Sequence, residues 1–390
     1  MEYSSAAWER AMRVQDVILR AISGEISWFA AADILQMTPR NLRRWRERYE
    51  RWGYNGLVDQ RRCPSKRRVP IGQLESVLRL YRERYVGFNG RHFYDLARRD
   101  HAVTLSYSFI KRALQGAGLL PTRRARGRHR RRREPRPCFG ELLHLDGSRH
   151  AWLALVPEVR PTLITVVDDA TKRVLYAQLL AGGESTAAVM TALRDVVDHY
   201  GLPQALYTDR AHWAVHTPHA GAAPDRSKLT QLGRALHQLG IEHILGYSPA
   251  ARGRSERANR TLQDRLVNEL RLAGIRTIAA ANRYLRDGFL AAYDGWFAHP
   301  PADATPAFVP IGDVDLAQIL CHEESRVVAR DNTVRLDGVL LQIPKQRGRR
   351  TCAGLQILVR RHLDGRHSVW WGARRLALYD AQGHPLPAAA

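Results

Sequence analysis

Hydrophobic and polar positions alternate with several different periods along the chain, and the changes of period mark its parts. Residues 27–35 read as a short apolar helix, followed by a turn at Gln36-Met37. Thr38 then offers an N-cap oxygen, and Pro39 suits the first helical position, where its missing N–H costs nothing. Leu42, Trp45 and Tyr49 stripe the helix that follows, and Arg40, Asn41, Arg43, Arg44, Arg46 and Arg48 fill its other faces. The layout is that of a helix–turn–helix with a basic second helix. An ordinary helical hairpin would show the same stripe, but the arginine density in the opening turns favours DNA contact. A second helical module runs over residues 71–120, with Asn89 and Ser106 as expected N-caps. Its Lys111 and Arg112 are candidate DNA contacts, although the same periodicity would serve a core equally well.

Beyond residue 138 the pattern becomes that of an α/β domain. Residues 139–146 alternate as a strand, with Leu142, His144 and Asp146 on one face. Residues 152–156, 162–168 and 173–180 are also strand-like, and 162–168 is apolar enough to be interior. A helix over 185–200 carries Val189, Leu193, Val196, Val197 and Tyr200 as one stripe and ends at Gly201. Short strands are expected at 205–209 and 241–245, with a helix striped by Leu232, Ala235, Leu236 and Leu239 between them. A long helix then starts near Gly253 and is striped by Leu262, Leu266 and Leu270. Early strands followed by strand–helix alternation predict a mixed sheet flanked by helices. From about residue 326, short alternating segments broken by Asp337-Gly338 and Asp364-Gly365 predict hairpins and a small β-barrel.

The predicted architecture is therefore multidomain. Residues 1–60 and 71–120 form all-α helix–turn–helix modules, 121–137 an Arg-rich linker, 138–310 an α/β core and 321–382 a β-barrel. The linker is almost wholly cationic, Arg130 and Arg131 included, and a run of like charges resists folding alone. As a tether it would track a phosphate backbone or simply stay solvated.

Charge sharpens this picture. Lys plus Arg number 61 against 38 Asp plus Glu, a formal net charge of +23. Such an excess favours a polyanion, because neutralising phosphates releases counterions. No stretch approaches the roughly 20 apolar residues a membrane span needs, and the N-terminus lacks a signal-peptide layout. The 4 cysteines stand too far apart for a metal knuckle or redox pair. A cytoplasmic, nucleoid-associated protein is expected, with double-stranded DNA as partner and no membrane.

Three carboxylates lie at predicted element ends: Asp146 and Asp209 close strands, and Glu256 sits in the first turn of the long helix. Acids so placed can converge at one edge of a sheet. Clustered carboxylates need cations, and oxygen-rich sites suit Mg²⁺ or Mn²⁺. Two such ions about 3.5–4 Å apart can drive in-line phosphoryl displacement. Singly, each acid has a structural alternative as a turn former, a cap or a complement to the helix dipole. Asp168 and Asp169 compete for the site, with a strand-to-turn role preferred for Asp168, and His144 is expected to be packed rather than a ligand. Arg257, Arg260 and Gln263 follow Glu256 on the same helix as candidate DNA contacts. No phosphate-cradling glycine loop is present, so no nucleotide cofactor is expected.

Taken together, His144-Leu145-Asp146-Gly147-Ser148, Tyr207-Thr208-Asp209-Arg210 and the run from Ser248-Pro249 through Gly253-Arg254-Ser255-Glu256-Arg257-Ala258-Asn259 resemble the DDE transposase and retroviral integrase superfamily. Val167-Asp168-Asp169-Ala170-Thr171 and Thr261-Leu262-Gln263-Asp264-Arg265-Leu266 are most similar to the ISNCY-type insertion-sequence transposases. The resemblance covers about residues 10–378 and rests most on the third motif. It departs where Arg210-Ala211-His212 stands in place of a Lys-His pair, and in a looser segment at 217–227. It implies an RNase H-like core, two divalent metal ions held by Asp146, Asp209 and Glu256, release of 3′-hydroxyl ends and their attack on target DNA. The expected protein binds an element's terminal inverted repeats, then cuts and joins DNA as a homo-oligomer. A nuclease or integrase sharing the core, or a DNA-binding regulator with a decayed core, are the alternatives.

Overall fold

The computed structural model describes residues 5–58, 69–122, 134–218, 225, 227–246, 253 and 255–387. The chain divides into two compact units, residues 1–77 and 78–390. In the first, α1 (Ser5–Ile22), α2 (Trp28–Ile34) and α3 (Pro39–Trp52) surround one apolar core. The expected cap is realised, Thr38 Oγ1 accepting from the Asn41 amide at 3.3 Å, and Ser27 Oγ accepts from the Ala30 amide at 3.1 Å in the same way. Val14, Val17 and Ile18 of α1 meet Ala31, Ala32, Leu42, Leu57 and Val58 in that core. Trp8 stacks on Tyr54 with centroids 5.4 Å apart, which ties the first helix to the turn after the third.

The boundary between the units falls within α4 (Ile71–Arg84). In the second unit, α5 (Gly90–His101) is capped by Asn89 and α6 (Tyr107–Gly116) by Ser106, as the sequence predicts. The central sheet contains β1 (Leu142–Arg149), β2 (Thr162–Asp168), β3 (Val174–Leu180), β4 (Ala205–Thr208) and β5 (Glu242–Leu245). Its order is β3-β2-β1-β4-β5. β1, β2 and β3 pair antiparallel, while β1, β4 and β5 run parallel. This is the mixed sheet expected, and every residue of β2 is buried.

Strand alternation sends neighbouring residues to opposite faces. Leu143, Leu145, Ile164 and Val166 pack under α7 (Thr186–Tyr200) and α8 (Gln231–Gln238). Leu163, Val167, Ala177 and Leu179 pack under α9 (Ser255–Leu272), α10 (Ile278–Tyr284) and α11 (Leu290–Phe297). The strand expected at 152–156 is instead a turn. Trp152 and Leu153 are buried in the second of these cores, and the Trp152 indole donates to the Ser148 carbonyl at 2.9 Å. Their apolar character serves as an anchor, not as a place in the ladder.

The helical module before the core is fastened along α9. His92 Nε2 and Glu269 Oε1 lie 2.9 Å apart and both side chains are buried. Asn89 donates to Asp264, Arg265 reaches Asp95 at 3.3 Å, and Arg271 donates to the Val86 carbonyl at 2.8 Å.

After the short α12 (Leu316–Ile319) the chain is all β: β6 (Cys321–Val327), β7 (Thr333–Leu336), β8 (Val339–Gln342), β9 (Gln356–His362), β10 (His367–Trp371), β11 (Arg374–Tyr379) and β12 (Pro385–Leu386). Asp337 and Gly338 turn the β7–β8 hairpin with φ of 48° and 82°, the backbone the Asp-Gly pair predicts. The expected barrel takes the form of an antiparallel sheet in the order β12-β11-β10-β9-β6 with a separate β7-β8 ribbon. Among the described residues no pairing joins β12 to β6, so the sheet stays open. Val334, Leu341, Val359 and Val369 fill one core between sheet and ribbon, which supplies the burial a closed barrel would have given.

Candidate active site

The parallel register between β1 and β4 decides where the first two acids lie. His144 pairs with Tyr207, and their rings are 5.0 Å apart on one face. The pairing of β1 with β4 ends there. Asp146 lies two residues on, inside β1 and not at its end as expected, because β1 runs on to Arg149 against β2. Asp209 lies one residue past β4, so both aspartates follow the last paired residues at one edge of the sheet. The Asp209 carboxylate accepts the Ala211 amide at 2.9 Å, which turns the chain sharply after β4.

α9 supplies the third side of the site. Asn259 Nδ2 donates to Asp146 Oδ2 at 2.9 Å, and Gln263 Nε2 donates to Ser148 Oγ at 3.0 Å. Residues three or four apart share a helix face, so Asn259 and Gln263 hold one stripe of α9 along the end of β1. Glu256 lies on that stripe one turn earlier and is exposed. Thr165, the cross-strand partner of Asp146, closes the group from β2 with its Oγ1 3.3 Å from the Asp146 carbonyl.

A further carboxylate, not singled out from the sequence, lies near Asp209 on the face of the sheet covered by α7. Glu184 lies between β3 and α7, and the Trp213 indole donates to its Oε2 at 2.9 Å. A Cβ at Gly147 would collide with the Glu184 carboxyl group, which explains a glycine beside Asp146. Burial raises the Glu184 pKa above the ordinary carboxylate value, and the Asp209 charge adds to the rise against the Trp213 hydrogen bond. Glu184 stands at an element end, so the criterion that selected Asp146 and Asp209 would have selected it too.

Asp168 and Asp169 are elsewhere. Asp168 pairs with Leu143, near the start of β1, and its carboxylate takes the Gly140 amide, the Thr171 amide and the Thr171 hydroxyl at 2.9, 2.7 and 2.6 Å. It is a buried turn-holder whose pKa is raised by that burial. Asp169 accepts the Arg136 amide at 2.8 Å and meets His144 Nε2 at the same distance. His144 is thus packed against an acid, as expected.

The donors offered by Asp146, Asp209 and Glu256 are hard oxygens, which suit Mg²⁺ or Mn²⁺. Their oxygens do not all lie within 4.8 Å of one another; among the described residues the group that meets this limit is His322, Glu324 and Asp337. The His322 group is already neutralised: Glu324 pairs with Arg326, and Asp337 with Arg361 at 2.5 Å.

Of the expected DNA contacts, Arg40, Asn41, Arg43 and Arg44 are exposed on α3, and Lys111 and Arg112 on α6. Arg257 and Arg260 are exposed on α9, whereas Gln263 is half-buried against Ser148. Arg130 and Arg131 lie outside the described residues, as do 247–252 and 254 of the third motif. No helix among the described residues is long and apolar enough to cross a membrane.

Comparison with known proteins follows the same lines. Residues 15–65 match the family model described as a helix-turn-helix domain. A putative transposase of Sinorhizobium fredii, y4bF, is 29% identical over 97% of this chain and 80% of its own length. The transposase for insertion sequence IS1202 of Streptococcus pneumoniae is 36% identical over 39% of this chain and 32% of its own. Among solved structures, the catalytic core domain of BIV integrase is similar over 36% of this chain and 78% of that one, at 22% identity and a TM-score of 0.27. A simian T-cell lymphotropic virus intasome chain is similar over 80% of this chain and all of its own, at 12% identity and a TM-score of 0.32.

Proposed function

We propose that this chain is a DDE transposase that binds the terminal inverted repeats of an insertion sequence, cleaves DNA there and joins the freed ends to a target. The observation that carries this is the meeting of β1, β4 and α9: Asp146 and Asp209 each two residues beyond the paired His144 and Tyr207, with Asn259, one turn from Glu256, donating to Asp146 at 2.9 Å. The length of the similarity to the Sinorhizobium fredii transposase supports it.

Asp146, Asp209 and Glu256 are the proposed metal-holding residues. Bound Mg²⁺ or Mn²⁺ would activate the attacking oxygen and stabilise the leaving one. Asn259 fixes the Asp146 carboxylate, so that its second oxygen is presented in one orientation. Arg40, Asn41, Arg43 and Arg44 on α3 are proposed to read or hold the element ends. Lys111 and Arg112, with Arg130 and Arg131 of the connecting segment, would add phosphate contacts, and Arg257, Arg260 and Gln263 would lie along the strand near the cut. Joining two ends at once calls for a homo-oligomer on DNA, working where the chromosome is, in the cytoplasm at the nucleoid.

The test uses purified full-length protein, labelled element ends and Mg²⁺. Wild type is expected to give joined products, and Asp146→Asn and Glu256→Gln neither cleavage nor joining while still binding. Cleavage without joining would replace this reading by a nuclease. Binding with neither reaction in the wild type would replace it by a DNA-binding regulator.

A further inference from the structure

Beside the carboxylates, on the other flank of α9, lies a cavity of about 570 Å³, within the roughly 300–1,000 Å³ of small-ligand sites. α9 contributes Arg257, Ala258 and Thr261 to it, and α11 contributes Tyr293, Trp296 and Phe297. Arg257 directly follows Glu256 in sequence, and Ala258 lies about 100° round the helix from Asn259. The cavity therefore shares α9 with Glu256 and Asn259, reaches Asp168 near the start of β1, and includes none of the three carboxylates in its lining.

Its chemistry is that of flat apolar walls with a cationic rim. The Arg265 guanidinium lies 4.9 Å from the Trp296 ring centre and 5.0 Å from that of Phe297, which holds both rings in place. Arg136, Lys172 and Arg257 bring positive charge to the lining. The acid in the lining, Asp168, is spent on the Gly140 amide and on Thr171. Aromatic faces under a cationic rim match a nucleobase carried on a phosphate chain. A paired base cannot enter, whereas one at a strand end or beside a cut leaves the stack at little cost.

We propose that this pocket takes one unpaired nucleobase of the DNA strand lying across Asp146, Asp209 and Glu256, with Trp296 and Phe297 as its stacking walls. The proposal rests on the function proposed above. Its test reads binding alone, so the two can fail separately.

Full-length protein is titrated, without divalent metal, against a blunt fluorescent duplex and the same duplex carrying a short single-stranded thymine tail. Wild type is expected to prefer the tailed duplex by about tenfold or more, the size of a single base–aromatic stack. Trp296→Ala is expected to bring the ratio of the two affinities close to one. Ala302→Trp, at an exposed lining position, should do the same by filling the space. Because Trp296 also packs on Arg265, the Ala302 variant decides the matter if Trp296→Ala loses its thermal transition. Photocrosslinking from 5-iodouracil in the tail should map to Tyr293, Trp296 or Phe297. Equal affinity for both duplexes, or a tail preference kept in Ala302→Trp, would overturn the pocket. A tail preference in wild type that disappears in Ala302→Trp, in a protein that never joins ends, would support the pocket and overturn the transposase reading.

Discussion

Replacing Asn259 by Ala removes the amide that faces Asp146 and leaves the backbone of α9 intact. Asn259 is 7% exposed, and its Nδ2 lies 2.9 Å from Asp146 Oδ2, so water cannot fully replace the missing donor. A hydrogen bond to a charged group contributes about 1.5–3 kcal/mol. At about 1.4 kcal/mol per tenfold, this corresponds to a loss of roughly 10- to 100-fold in metal affinity or strand transfer, the range seen when groups supporting metal ligands are removed. Gln263→Ala is the control. Its bond to Ser148 Oγ, 3.0 Å long, also ties α9 to β1, but both partners are neutral, so about 0.5–1.5 kcal/mol is at stake. Strand transfer on labelled ends and thermal unfolding with and without Mn²⁺ are measured for both variants. Asn259→Ala is expected to lose most of the Mn²⁺-induced stabilisation and at least tenfold in rate, while Gln263→Ala, whose side chain is a proposed DNA contact and not a support of Asp146, keeps the Mn²⁺-induced stabilisation. Equal losses of that stabilisation in the two variants would mean that Asn259 merely fastens the helix, and the assignment of an orienting role would be wrong.

Two further predictions concern stability and DNA binding. Burial raises the Glu269 pKa, but hydrogen bonds from His92 and Tyr284, with the nearby charges, outweigh it, so the carboxylate sits below its ordinary value. A depressed acid stabilises the fold above its unfolded value of about 4.3 and loses that contribution as pH falls through the folded value. Thermal unfolding of wild type should therefore fall more steeply than that of Glu269→Gln as pH is lowered below about 4.3, and parallel curves would contradict this. Arg43→Ala and Arg44→Ala, both exposed on α3, should weaken binding to element ends and lower the salt slope by about 0.9 for each phosphate no longer neutralised. Thermal stability should change by less than about 0.5 kcal/mol, and an unchanged gel-shift affinity would remove the first module as the end reader.

Local chemistry was legible in the sequence wherever one residue decides a local outcome. Thr38, Asn89 and Ser106 each cap the helix their position implies, because a short polar side chain before an apolar stripe satisfies amides within three residues of itself; Ser27 and Ser185, read as opening their helices, prove to be caps by the same rule. Asp337-Gly338 turned a hairpin because both residues take the positive φ that such a tight turn requires. Failures came where burial and local pattern part company. Trp152 and Leu153 are apolar because they fill a core, and alternation alone cannot tell such an anchor from a strand. Likewise, the β7–β8 and β9–β10 hairpins were visible from their Asp-Gly turns, but whether the edges of the sheet meet depends on pairings that no short stretch encodes.

The candidate site divides along the same line. Asp146, Asp209 and Glu256 stood out because the sequence pattern put each at an element end. Asp209 follows β4 and Glu256 opens α9, whereas β1 runs on past Asp146 to Arg149. The placing of the two aspartates at one edge depends on the His144–Tyr207 register, which only the assembled sheet fixes. Asn259 stood within the third motif without a role, because its partner is 113 residues away in sequence. The same distance effect hid the packing of Asn89, His92 and Asp95 on α9, spread over separations of 175, 177 and 170 residues. That packing matters for function: α9 is held by the sheet at Asn259 and Gln263 and by the helical module at Asp264, Arg265 and Glu269. The helix that carries Glu256 is thus the one on which the module bearing Lys111 and Arg112 is seated, so a change in that packing is read at α9 before it is read anywhere else in the core.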